Sequence, residues 1–85
     1  MTLVPTLTTL DALKAGQSAT VIHLAPSAHS GQDVARRLME LGFVPGERIR
    51  MLKRGLPGGP VAVKVGESTF ALRKFEAALV SIQPE

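Results

Sequence analysis

The stretch "ERIRMLKRGLPGGPVAVKVGESTFALR", Glu47 to Arg73, decides the fold. It holds three strand-like runs. In the first, Ile49 and Met51 point one way and Arg48, Arg50 and Leu52 the other. In the second, Val61, Val63 and Val65 alternate with Ala62 and Lys64. In the third, Phe70 and Leu72 alternate with Thr69, Ala71 and Arg73. Alternation with period two puts one face of each run on a core and the other in water. Gly66-Glu67 predicts a tight hairpin between the last two runs.

The connection between the first two runs is "GLPGGP", Gly55–Pro60, behind the cations Lys53 and Arg54. Glycine-rich loops beside strands often hold phosphate, but a P-loop needs Lys-Ser or Lys-Thr after its last glycine and a helix beyond. Here a valine strand follows, and Pro57 and Pro60 remove backbone N–H donors that an anion would use. The expectation is a rigid inter-strand loop. Gly58-Gly59 makes the turn, Pro57 and Pro60 stiffen its sides, and Leu56 points outward.

Working outward, "FVPGE" places Pro45-Gly46 at the centre of a type II turn. Before it, "SGQDVARRLMELG", Ser30–Gly42, is the clearest helix. Ser30 is the N-cap candidate, with Asp33 in the favourable first turn. Val34, Leu38 and Leu41 fall on one buried stripe, Arg36, Arg37 and Glu40 take the wet side, and Gly42 is the stop. "SATVIHLA", Ser18–Ala25, reads as a strand. Val21, Ile22 and Leu24 cannot all face one side, which predicts a bulge or coverage on both faces. Thr8 or Thr9 is an N-cap for a one- to two-turn helix ending at Gly16, and "PSAHSGQ", Pro26–Gln32, is a loop. "KFEAA" predicts a single helical turn, "LVSI", Leu79–Ile82, a last short strand, and Pro84 the end of the ordered chain.

About five short strands in 85 residues cannot make two well-covered sheets. A small, strongly bent barrel hides their edges better. The expected fold is therefore mainly β: an SH3-like or OB-like barrel with the helix inserted between the first and second strands. Residues 1–85 should form one domain.

Composition excludes several functions. The chain has no cysteine, so disulfides, thiolate metal sites and cysteine nucleophiles are out. No apolar run reaches a membrane span, and the first residues carry no signal-peptide pattern. The protein should be soluble and cytoplasmic. Net charge is +3, with the cations spread along the chain. No Trp or Tyr is present to stack bases, so nucleic acid is not expected as a partner. Ser27, His29 and Asp33 crowd one loop with no scaffold to fix a catalytic geometry, and no paired carboxylates stand out. The candidate metal ligands are His23, His29 and Asp33, which could take Fe2+ or Zn2+ weakly, though their spacing matches no defined motif. Leu52, Leu56 and Pro57 form the candidate apolar contact surface. An aromatic peptide groove of the eukaryotic SH3 kind cannot be built without Tyr or Trp.

Taken in order, "LDALKAGQSATV", "RRLMELGFVPGERI" and "PGGPVAVKVGESTFALRKFEAALVSI" resemble the FeoA family, the small cytosolic component of bacterial ferrous iron transport. The R-L-x-x-L-G-x-x-P-G block is matched by Arg37–Gly46, the P-x-G-x-P loop in part by Pro57 and Gly59 with Pro60 one position early, and the A-L-R-x-x-E-A block by Ala71–Ala77. The likeness implies an SH3-like barrel with an inserted helical segment, no enzyme activity and no required cofactor. It implies action alongside FeoB, the membrane permease whose cytosolic part is a GTPase, and recruitment to the inner membrane through that partner. A similar domain ends the iron-dependent repressors of the diphtheria-toxin-repressor type. Pro26–Gln32 is the least family-like part, so the resemblance carries over no metal role for His29. On this footing Leu52, Leu56, Pro57 and Gly59 are the expected contact residues, with Arg36, Arg37 and Arg54 steering toward an acidic surface. A homo-oligomer and a metal-responsive sensor module stand as alternatives.

Overall fold

The computed structural model describes residues 7–25 and 32–85, the side chains of Gln32 and Asp33 apart. In chain order the elements are β1 (Thr8–Thr9), a 3-10 turn (Leu10–Ala12), β2 (Ser18–Leu24), α1 (Gln32–Leu41), β3 (Arg48–Arg54), β4 (Val61–Val65), β5 (Ser68–Leu72), α2 (Lys74–Ala77) and β6 (Val80–Pro84). The expected cap at Ser30 and the loop ahead of α1 lie outside the described residues.

The strands form one antiparallel sheet in the order β1-β6-β2-β3-β4-β5. The three strand-like runs of Glu47–Arg73 are β3, β4 and β5, with the expected faces: Ile49, Met51, Val61, Val63, Val65 and Leu72 are buried. Two register shifts bend the sheet. One falls between Val21 and His23 on β2, where the crowded apolar run predicts it. The other falls between Met51 and Lys53 on β3. Leu52 is the extra residue there, so Lys53 rather than Leu52 stands opposite Ala62. Bulges increase twist and curl a strand. The ladder nevertheless stays open, because β1 and β5 do not pair. α2 carries the chain from β5 at one edge to β6 beside the other, packing on both the 3-10 turn and α1.

Three expectations are corrected. A sixth strand exists: Thr8 and Thr9 pair with Ile82 and Ser81 instead of starting a helix, and only a 3-10 turn follows. Leu10 and Leu13 on and beside that turn are fully buried. The last strand runs on through Pro84, which lies opposite Ala19, and the Glu85 N–H donates to the Ser18 carbonyl at 3.0 Å.

α1 ends as the sequence predicts. The Gly42 N–H donates to Met39 O and the Phe43 N–H to Leu38 O, both at 3.0 Å, the crossed pair of a Schellman motif. Gly42 has φ +116°, open to glycine. Leu38 is fully buried, and Val34 and Leu41 flank it against the core. Phe43, just past the stop, is the largest fully buried side chain, with its ring 6.3 Å from that of Phe70.

Candidate functional site

The loop between β3 and β4 is built as a second proline–glycine turn. The Gly59 N–H donates to the Leu56 carbonyl at 2.7 Å, and Gly58 has φ +79°. The central pair is therefore Pro57-Gly58, a type II pattern, and not Gly58-Gly59 as the sequence suggested. Pro57 sets the first φ and Gly58 supplies the positive one. A Cβ on Gly59 would sit 3.0 Å from the Leu56 carbonyl oxygen, so a side chain there would push the turn apart. This frame holds Leu56 at 83% exposure, the most exposed of the large apolar side chains among the described residues.

Around the loop, Arg54, Leu56, Pro57 and Gly59 line one groove of about 260 Å³ with Asp11 and Lys74. The structure thus gathers four of the seven predicted contact residues. Leu52 is 40% exposed on the outer face of β3, outside that groove. Arg36 and Arg37 lie on the exposed side of α1. Two of the three arginines already have partners within the chain. The Arg54 guanidinium donates through Nη1 to the carbonyls of Asp11 and Leu13, each at 2.6 Å, and so ties the 3-10 turn to the end of β3. Arg37 lies 3.7 Å from Glu76 on α2.

Glu76 is the residue that sequence reasoning missed. It is only 5% exposed, whereas its neighbour Phe75 is 54% exposed. The inversion has a local cause. Glu76 Oε1 accepts the Arg73 N–H at 2.8 Å, the back-bond of a helix N-terminus, and Oε2 faces Arg37. The acid is needed inside, and the ring is turned out. A Glu three residues after the start of a helical turn was the available signal. Phe75 lines a second groove of about 370 Å³ with Gly58, Pro60, Arg73 and Lys74.

The other end of the sheet carries a shallow depression lined by Arg48, Arg50 and Lys64 together with Glu47. Arg48 makes a two-point contact with Glu85, at 2.6 and 2.9 Å. That hydrogen bond, and then the charge behind it, raise the affinity of the guanidinium for its proton.

Of the three candidate metal ligands, His23 is exposed on β2, and His29 and the Asp33 side chain lie outside the described residues. Among the described residues no three His, Cys, Asp or Glu side chains come together as a metal site. None of their helices is long and apolar enough to cross a membrane.

Comparison with known proteins agrees with this architecture. Residues 8–84 match the model of the FeoA domain. A Campylobacter jejuni protein named as Fe(2+) transport protein A is 28% identical over 74 residues, covering 87% of this chain and 95% of its own. The crystal structure of Stenotrophomonas maltophilia FeoA complexed with zinc, described as a prokaryotic SH3 domain protein, is 43% identical with a TM-score of 0.80, over 89% of each chain. A manganese-dependent transcriptional repressor shares the fold at 20% identity and a TM-score of 0.80, this chain covering 44% of it. With the match running from β1 through β6, the chain belongs to the FeoA family.

Proposed function

We propose that this protein is a non-enzymatic accessory and regulatory component of ferrous iron uptake, working by direct contact with the cytosolic domain of a FeoB-type GTPase permease. In this reading it acts in the cytoplasm and reaches the inner membrane only through that partner. One observation carries the contact mode. Leu56 is held out in water on a turn whose backbone is fixed by Pro57, Gly58 and a 2.7 Å hydrogen bond. A pre-ordered apolar side chain loses little freedom when a partner covers it. Family membership supplies the iron context: the S. maltophilia relative is described as a candidate ferrous iron transport activating factor. Leu56→Asp tests it. The variant should fold normally, since the side chain supports nothing, and should weaken capture of the permease's cytosolic domain about tenfold or more. Unchanged capture, with and without GTP, together with unchanged iron uptake, would overturn the proposal.

A second reading, binding of Fe2+ or Zn2+ through His23, His29 or Asp33, draws on the zinc in that same relative. Calorimetry on the full chain against His23→Ala and His29→Ala tests it, and no heat at micromolar metal would end it.

A further inference from the structure

Phe75 is the second large apolar side chain beside the β3–β4 loop, turned out at the surface by the burial of Glu76. α2 buries Glu76 and Ala77 and turns the ring out at 54%. The loop stands as a ridge between two grooves, and both are lined by Gly58 and Lys74. Their charges differ. The groove beside Leu56 contains Asp11, which accepts a hydrogen bond from the Thr9 hydroxyl. The groove beside Phe75 contains two cations, Arg73 and Lys74, and no carboxylate. Neither cation has an ion-pair partner among the described residues.

We propose that the loop and α2 form one two-sided docking site for an acidic protein segment with an apolar anchor. The anchor packs on Phe75 against Pro60, and a neighbouring carboxylate pairs with Lys74. The proposal rests on the contact reading above and adds to it a second wall, an aromatic anchor point and the chemistry of the partner. A ridge with a concavity on each side suits inserted side chains better than a flat lipid surface. Aromatic anchors inside a polar rim are where binding energy concentrates in protein interfaces.

The test is titration of the permease's cytosolic domain with the full chain at low and high salt. Phe75→Ala should weaken binding about tenfold. Lys74→Glu should weaken it as much and remove most of the salt dependence, while Lys74→Arg should restore it. Arg50→Glu, on the outer sheet face, controls for overall charge and should change affinity less than about threefold. Wild-type binding that survives both Phe75→Ala and Lys74→Glu would overturn the proposal and leave the contact reading standing. No wild-type binding would overturn both. Binding of phosphatidylglycerol vesicles, lost in the same two variants, would assign the patch to a membrane and overturn the acidic-segment proposal.

Discussion

Three phenylalanines sit in three different environments, and their substitution should separate cleanly. Phe43 is fully buried after the α1 stop, Phe70 packs half-buried against it, and Phe75 is mostly in water. Phe43→Ala should cost about 3–5 kcal/mol, a large share of the stability of a domain this small. Phe75→Ala should shift stability by less than about 0.5 kcal/mol. Urea unfolding measures both, and an equal effect would mean the two environments are misassigned. The alternation around Phe70 was readable from the sequence because period two sorts a strand into faces. Phe75 was not, because a single helical turn is too short for any period. What turned it outward was the demand of Glu76 for the inside, a tertiary need set partly by Arg37 on α1, some 39 positions away in the chain.

At the scale of elements, Glu76 holds α2 at both ends of its carboxylate. One oxygen takes the Arg73 N–H, and the other faces Arg37, whose side chain is 65% exposed. The two contacts should be unequal. An ion pair with one partner mostly in water is worth under about 1 kcal/mol. A part-buried backbone donor at a helix start that loses its side-chain acceptor costs about 0.5–2 kcal/mol. Glu76→Gln keeps an acceptor for Arg73 and should lose less than about 1 kcal/mol, whereas Glu76→Ala should lose about 2 kcal/mol. A thermal melt of each variant, with Arg37→Ala completing a double-mutant cycle, checks this. Comparable losses in both would move the weight to the ion pair. Arg54 plays a similar part at the 3-10 turn, which explains a limit of the sequence reading. The α1 stop and the β2 bulge depend on residues close in sequence and were legible, as was the existence of the Gly55–Pro60 turn though not its central pair. The cations were legible only as charges, since the carbonyls that Arg54 binds belong to Asp11 and Leu13, more than 40 positions before it.

For the whole molecule, the decisive fact is that the last strand lies inside the sheet and not at its edge. β6 sits between β1 and β2, so the first and last described strands meet there, with Thr8 opposite Ile82 and Ala19 opposite Pro84. The sequence showed a short final strand but not this position, because strand order is a long-range property that no local pattern encodes. The order has a cost in the folding of the chain. Until residues 80–84 dock, β1 has no partner and β2 has only β3. Val80 and Ile82, both fully buried, are then missing from the core. A chain cut after Ala78 should therefore show no cooperative thermal transition. A milder change should be graded: Ile82→Ala should lose about 2–4 kcal/mol with the transition still two-state. Glu85→Ala should matter little, because the side chain's pair with Arg48 lies largely in water and the Glu85 N–H stays on the Ser18 carbonyl. A truncated chain that still melts cooperatively, with the core amides protected from hydrogen exchange, would show that β1 to β5 form a self-sufficient unit. The loop and α2 would then be presented by a scaffold that does not need its last strand.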